Sequence, residues 1–376
     1  MVDLEHVIEA VSELNQLTHK DTHNNMDLNS EGPDPPLEET YKNLFLKQQS
    51  FITTLAANTV EEHELPVVDL RRLVAASKEE REKCKQEMVE ASKDWGFFQV
   101  LNHGISQDIL KEMSKEQVKV FREPFNKKKG DKCMNISLSP GSYRWGTPSA
   151  TCLMQLAWSE AFHIPLTDIS DDCSSPNNDI NGHITGLSST VKQFATTVSE
   201  LAHKLANILA EKLGHDQSTF FAENCLPNTC YLRMNRYPPC PNYSQVFGLM
   251  PHTDSDFLTL LYQDQVGGLQ LVKDGKWIAV KPNPEALIVN IGDLFQLQAW
   301  SNGVYKSVEH RVVANQKVER FSMAYFLCPS YDAVIQSYKQ PSMYRKFSFG
   351  EYRQQVQDDV RKLGYKIGLS RFLVCS

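Results

Sequence analysis

From Asn228 to Leu327 the chain breaks into short runs of alternating character separated by turn formers. The runs are Tyr231 to Tyr237, Leu258 to Tyr262, Leu269 to Val272, Trp277 to Val280, Ala286 to Ile291, Ser307 to Val313 and Phe321 to Leu327. Asp274-Gly275, Asn283-Pro284 and Ser301-Asn302-Gly303 punctuate them. A period of two sends successive side chains to opposite faces of a strand. Many short strands at close spacing predict two stacked sheets, a β-sandwich or jelly roll. A single long helix is predicted from about Ser188 to Leu213, with Gly214 as its stop. Val191, Phe194, Ala195, Val198, Leu201, Ala202, Leu205, Ile208 and Leu209 recur in steps of mostly three and four. They make one apolar stripe, so this helix should back a sheet. The fold class is therefore mixed α+β, a jelly-roll core with supporting helices.

Upstream, Pro66-Val67-Val68-Asp69-Leu70 and Phe97 to Leu101 read as two further strands. Ser77-Lys78-Glu79-Glu80 has the form of a capping box and opens a helix to about Asp94. Helices are also predicted from about Gln107 to Arg122 and from about Phe349 to Leu363. Leu4 to Leu17 has the spacing of a short amphipathic helix. Asp21 to Glu39, rich in Asn, Asp and Pro, reads as a loose linker. The expected division is a variable, partly disordered extension (1–60), a region of strands and helices (61–225), the jelly-roll core (226–335) and a C-terminal helical segment (336–376).

The net charge of −7 over 376 residues argues against nucleic acid or an anionic membrane as the main partner. The run Lys127-Lys128-Lys129 is most simply a solvated loop. No apolar stretch reaches the length of a membrane span. The first residues carry acids and no apolar run, unlike a secretory signal. Nine scattered cysteines, an odd number, do not make a disulfide framework. They fit a reducing compartment, the cytoplasm or alternatively the nucleus. Nothing in the pattern specifies an oligomer.

His252 and Asp254 stand two apart in Met250-Pro251-His252-Thr253-Asp254, so a strand end can aim an imidazole and a carboxylate at one ion. His310 follows much later, on the apolar side of Val308-Glu309-His310-Arg311-Val312. A His-x-Asp pair alone is weak evidence, and a strand histidine alone is more often a core residue. Together they form the two-histidine, one-carboxylate set that leaves a metal face open and suits ferrous oxygenases. Arg320 and Ser322 share a face of the next run. An inward guanidinium with no acidic neighbour in its own strand needs a partner, and a ligand carboxylate supplies one. Tyr231, Arg233, Asn235 and Tyr237 alternate on one face, either the wet side of an edge strand or the wall of a cavity.

This constellation resembles the plant iron- and 2-oxoglutarate-dependent dioxygenases. The resemblance runs from about Leu65 to the C-terminus. It rests on Asn235-Arg236-Tyr237-Pro238-Pro239-Cys240, Pro251-His252-Thr253-Asp254, Gly267-Gly268-Leu269-Gln270, Asn290-Ile291-Gly292-Asp293, His310-Arg311-Val312 and Arg320-Phe321-Ser322. Leu65 to Leu70 and Trp95 to Gly104 add to it in the N-terminal half. It implies a double-stranded β-helix (jelly-roll) core. It implies Fe(II) held by His252, Asp254 and His310, and 2-oxoglutarate held by Arg320 and Ser322 with Tyr237 and Asn235 alongside. Oxygen would be the other reactant and ascorbate a reductant. Decarboxylation of 2-oxoglutarate supplies two electrons, so no nicotinamide is needed, and no separate protein acid or base is expected. No Gly-x-Gly-x-x-Gly cradle for a dinucleotide appears.

Four further stretches look like the gibberellin oxidases, and most like the gibberellin 2-oxidases that 2β-hydroxylate twenty-carbon precursors. They are Tyr143-Arg144-Trp145-Gly146, Leu156 to Ile164, Phe247 to Pro251 and Tyr262 to Gly268. Tyr143, Trp145, Trp158 and Phe162 would offer flat apolar area to a diterpenoid acid, or else are ordinary core. Arg144 or Arg233 could pair the substrate carboxylate. Gibberellin 20-oxidases carry Leu-Pro-Trp-Lys-Glu-Thr where this chain has Leu156-Ala157-Trp158-Ser159-Glu160-Ala161, so that alternative is weaker. A dioxygenase acting on a flavonoid or other specialised metabolite is a second alternative. A non-catalytic binding protein is a third, disfavoured because binding alone does not require three convergent ligands.

Overall fold

The computed structural model describes residues 32–47, 60–130, 132–133, 136–169, 186–214, 219–240, 246–297, 301–337, 341–363 and 365–374. The eight-stranded major sheet runs in the order β2 (Val67–Asp69), β3 (Phe97–Leu101), β13 (Leu287–Ile291), β10 (Leu258–Gln263), β15 (Arg320–Leu327), β8 (Tyr231–Tyr237), β7 (Glu160–Pro165) and β6 (Tyr143–Trp145). The five-stranded minor sheet runs β1 (Glu62–His63), β12 (Lys276–Val280), β11 (Leu269–Lys273), β14 (His310–Val313) and β9 (Phe247–His252). Two short ribbons, β4 (Lys132–Cys133) with β5 (Ile136–Ser137) and β16 (Val334–Ile335) with β17 (Phe347–Ser348), lie outside the sheets. Pairing is antiparallel except at β1–β12 and β2–β3.

The inner faces of the two sheets meet in a cluster that includes Phe97, Tyr237 and Ile288 from one and Leu271, Val280 and Val312 from the other. This is the expected jelly roll. The hairpin turn Asp274-Gly275 takes positive φ at both residues (50° and 75°), as a two-residue antiparallel connection demands.

The helices are α1 (Leu37–Lys47), α2 (Lys78–Asp94), α3 (Gln107–Phe121), α4 (Phe125–Lys128), α5 (Gly186–Glu211), α6 (Phe220–Asn224), α7 (Asp293–Leu297) and α8 (Phe349–Leu363). Ser77 Oγ accepts the Glu80 N–H at 3.3 Å, so the capping serine starts α2 as its sequence predicts. All nine stripe residues of α5 are buried. They pack on the outer face of the major sheet, where Ser199 Oγ meets Tyr325 Oη at 2.9 Å. Among the described residues no helix is long and apolar enough to cross a membrane.

Two expectations fail. The loose linker predicted to Glu39 ends earlier, because α1 begins at Leu37 and buries Leu37, Tyr41 and Phe45 at four-residue spacing. Tyr41 and Phe45 pack on Trp158 with ring centroids 6.3 and 6.1 Å away, and Tyr41 Oη donates to the Ala157 carbonyl at 3.1 Å. Leu4 to Leu17 and most of the linker lie outside the described residues. The lysine run is not a solvated loop either. Lys128 is fully buried, and its three protons go to Pro33 O (2.7 Å), Phe121 O (3.1 Å) and the Glu160 carboxylate. A buried ammonium is tolerable only when its donors are met in this way. Burial pulls the Lys128 pKa below its ordinary value, and Glu160 opposes the shift.

Candidate metal and cosubstrate site

His252 ends β9, His310 begins β14, and the two are direct partners across the minor sheet. Asp254 follows two residues on, in the turn toward β10. One ligand atom from each of the three lies within 4.8 Å of the others. Asp254 Oδ1 is 3.6 Å from His252 Nε2 and 3.8 Å from His310 Nε2. The Nδ1 atoms face the backbone carbonyls of Met250 (2.7 Å) and Val308 (3.0 Å). A carbonyl can only accept, so each Nδ1 carries the proton and each Nε2 presents its lone pair to the common point.

Asp254 Oδ2 accepts from Thr259 Oγ1 (2.6 Å) and Asn290 Nδ2 (2.8 Å), which leaves Oδ1 turned to the histidines. Burial alone would raise the Asp254 pKa, but His310, His252 and these two hydrogen bonds hold it down at about 2. Burial, and then His310, lowers His252 to about 3. At neutral pH the site is thus one anion and one assured neutral imidazole beside a second imidazole, a set that fits Fe(II).

The turn bearing the ligands is gripped from behind. Asp293 N–H donates to Asp254 O at 2.9 Å. Lys366 Nζ reaches Asp293 Oδ2 (2.6 Å), Thr253 O (2.9 Å) and Ser255 Oγ (2.9 Å), so the C-terminal segment clamps the backbone between two ligands. Tyr352 Oη also donates to Asp293. At Gly292 an added Cβ would stand 2.1 Å from Asp256 Oδ1, so only glycine allows this approach.

Arg320, only 1% exposed, donates from Nη2 to Gln263 Oε1 at 2.6 Å, and its guanidinium lies 4.9 Å from the Tyr237 ring centre. Its contact with Ser322 Oγ is long, 3.5 Å. Arg320 Nε and Gln263 Nε2 are both buried without a partner. The nearby Asp264 carboxylate instead accepts the backbone N–H groups of Val266 and Phe321. Unmet buried donors beside a buried cation fit the carboxylate of 2-oxoglutarate. Asn235 Nδ2 lies 3.4 Å from Ser322 Oγ, and Asn235 Oδ1 accepts from Arg233 Nε at 2.8 Å.

The 2OG-Fe(II) oxygenase superfamily profile matches residues 228–329, and the profile of the non-haem dioxygenase in morphine synthesis N-terminal region matches 65–181. Gibberellin 2-beta-dioxygenase 8 of Arabidopsis thaliana is 61% identical over 351 residues, 90% of this chain and 98% of that one. Gibberellin 2-beta-dioxygenase 6 of Oryza sativa subsp. japonica is 48% identical over 355 residues, 90% and 96% of the two chains. The crystal structure of the dioxygenase for auxin oxidation in rice matches with a TM-score of 0.66 at 28% identity, over 83% of this chain and all of the other. The chain belongs to the 2-oxoglutarate- and Fe(II)-dependent dioxygenases.

In this dioxygenase the residues expected around a substrate divide between two faces. Arg233 shares one face of β8 with Asn235 and Tyr237, and β8 lies inside the major sheet between β15 and β7, so the edge-strand reading of that face does not hold. Tyr143, Trp145, Trp158 and Phe162 are elsewhere, and the aromatic pocket expected of them is core. Phe162 is fully buried on the helix-backed face, 5.4 Å from Phe121 and 5.0 Å from Tyr143. Tyr143 Oη donates to the Glu160 carboxylate on that face. Trp145 packs edge-on to Phe125 at 5.5 Å. Trp158 lies under α1, with Nε1 donating to Pro239 O at 3.3 Å.

Thr259, Asn290, Gln263 and Lys366 are missing from the sequence-based set. Asn290 had a signal, since it is the one polar residue in the otherwise apolar Leu287-Ile288-Val289-Asn290-Ile291. Lys366 had none.

Proposed function

We propose that this chain is a gibberellin 2-beta-dioxygenase, acting on twenty-carbon diterpenoid acids. The observation that carries this reading is the 61% identity with gibberellin 2-beta-dioxygenase 8 over nearly all of that protein, with the complete triad and arginine–serine pair. Bound Fe(II) and 2-oxoglutarate would supply the oxidation itself, in which one atom of oxygen enters a substrate C–H bond and the other enters succinate with loss of CO2. The protein's residues supply position. His252, Asp254 and His310 would hold the metal. Arg320 and Ser322 orient the far end of the cosubstrate. The apolar wall between the sheets keeps water from the reacting face. A reducing compartment suits Cys84, Cys225, Cys230 and Cys328, which are buried and free.

The test is product analysis by mass spectrometry with Fe(II), 2-oxoglutarate, ascorbate and oxygen, on twenty- and nineteen-carbon gibberellins in parallel. The expected result is one added oxygen at carbon 2 of the twenty-carbon acids, with little turnover of the others. Untouched gibberellins beside continuing 2-oxoglutarate decay would reject the substrate assignment.

A further inference from the structure

Gln117 is the one amide side chain on the buried stripe of α3, where its neighbours are Leu110, Met113, Val120 and Phe121. It is 2% exposed, and an amide taken out of water needs partners for both of its N–H bonds. It finds them in the major sheet. Nε2 donates to Ser322 O at 2.8 Å and to Asn235 O at 3.1 Å, across 205 and 118 residues of sequence. Ser322 and Asn235 are direct partners on β15 and β8, in a row that continues to Gln263 on one side and through Ala161 to Arg144 on the other. Two opposed carbonyls can meet one nitrogen only where both point into the gap between their strands, as in the hydrogen-bonded kind of antiparallel pair. Each carbonyl oxygen keeps a second lone pair after its ladder bond, and Gln117 takes it on both. One side chain of the helix therefore pins two strands at one point.

That point is the backbone beneath the cosubstrate site. Arg320 is opposed to Tyr237, which belongs to the cluster between the sheets, so Arg320 and Ser322 face inward while Phe321 faces α3. Phe321 packs on Phe121, one turn after Gln117, with ring centres 6.1 Å apart. Just past the helix end, Arg122 pairs with Glu319. The helix thus grips β15 on both sides of Arg320, and the grip decides where Ser322 Oγ stands. A serine hydroxyl hangs one rotatable bond from its backbone. The side-chain contacts of Ser322 are long, 3.5 Å to Arg320 Nη1 and 3.4 Å to Asn235 Nδ2, and contacts of that length fix little. Its place is set by the backbone, and that backbone is held from the helix side.

We propose that Gln117 is a positioning residue for 2-oxoglutarate: its amide sets the backbone of the Ser322–Asn235 pair, and through it the two polar groups beside Arg320. Gln117 acts through the two carbonyls, from the face of the sheet opposite the site. The amide can lie only one way round, because turning it over would set Oε1 against two carbonyl oxygens. Met at this position fills the same space with no donor, and Asn keeps the amide but draws it back by one methylene. The proposal rests on the assignment of Arg320 and Ser322 to the cosubstrate, which Arg320→Met tests by itself.

The test is anaerobic calorimetry of 2-oxoglutarate binding to the full chain loaded with Fe(II). Q117M should raise the Kd about 3- to 10-fold, the range that one net hydrogen bond spans. Fe(II) affinity, read by chelator competition, should stay within about twofold, since the two histidines hang from the other sheet. Q117N should behave as Q117M does, and stands in for it if Q117M does not fold. V120A is the control: it thins the packing of the same buried face of α3 but has no donor to lose. It should lower the urea midpoint and leave the 2-oxoglutarate Kd unchanged. Because Gln117 acts through Ser322, Q117M should cost less in a Ser322→Ala background than in wild type. An unchanged Kd in both Gln117 variants overturns the proposal. So does a V120A that weakens 2-oxoglutarate as much as Q117M does, or full additivity of Q117M with Ser322→Ala. In each of these cases a weakened Arg320→Met leaves the cosubstrate reading standing. A 2-oxoglutarate Kd unmoved by Arg320→Met removes that reading and this proposal together.

Discussion

Arg320 is a buried cation with an unmet donor. Its Nε is buried and unmet, and the Gln263 amide that it touches has an unmet donor of its own. A charge-assisted pair is worth about 1.5–3 kcal/mol. Arg320→Met should therefore raise the 2-oxoglutarate Kd by roughly 10- to 150-fold, with metal affinity within twofold of wild type. Calorimetry with each ligand separates the two, and an unchanged 2-oxoglutarate Kd removes Arg320 from this role. His252 yields a second expectation at the same scale. It titrates at about 3 in the fold and near 6.5 when unfolded. Between those values the unfolded chain holds a proton that the native state lacks, so acid favours unfolding. Stability of the metal-free protein should fall as pH drops from 7 to 5. The slope from this residue approaches about 1.4 kcal/mol per pH unit below 6.5. Asp254, held at about 2 against 3.8, adds to the loss only below about pH 4. Urea midpoints at pH 7 and 5 should differ less in His252→Gln than in wild type, and equal differences would refute the assignment.

Elements were legible where a period ran unbroken. The α5 stripe is buried at every predicted position because nine apolar residues on one face have one way to leave water. The predicted strands between Tyr231 and Leu327 likewise form close to their expected bounds, although β14 starts at His310 rather than Ser307 and β9 was not among them. β6 and β7 were not legible. Glu160, Phe162 and Ile164 share the buried face of β7 while Ala161 is buried on the other, so no polar and apolar alternation marks the strand. The triad was legible because its residue types carry coordination chemistry by themselves. The support behind it was not, since Lys366 reaches Thr253 only after the chain has returned through α8 and beyond. Lys366→Met should free that turn and weaken metal binding by about 10-fold or more, as loss of an outer partner does. Chelator competition with Fe(II) reads the effect directly. Tyr352→Phe, which removes one of the donors to Asp293, should weaken it less. Metal affinity equal to wild type in Lys366→Met would show that the clamp positions nothing.

At the scale of the whole molecule, one charge network ties the N-terminal segment to the sheet that bears the site. Asp34, Lys128, Glu160, Arg236 and Glu319 come from five separate parts of the sequence. Each reads alone as a surface residue, and only the closed fold supplies its counter-charge, which is why the lysine run misled. Glu160 is the hub, for its two oxygens serve Lys128, Tyr143 and Arg236. Removing one partner of a buried pair leaves the other charge uncompensated and costs about 3–5 kcal/mol, whereas replacing both by neutral groups is often tolerated. Glu160→Gln should therefore destabilise by an amount in that range. Adding Lys128→Met to it should restore a good part, although Lys128 also holds the Pro33 carbonyl and so helps to dock the segment preceding α1. Arg236 keeps Asp34 and Glu319 in either variant, which limits the loss to the Lys128 side. Urea unfolding of the two single variants and the double variant closes the cycle. A coupling energy above about 1 kcal/mol is expected for groups in direct contact. If Glu160→Gln costs nothing and the two substitutions simply add, the network is a bystander and α1 is held by the Tyr41, Phe45 and Trp158 packing alone.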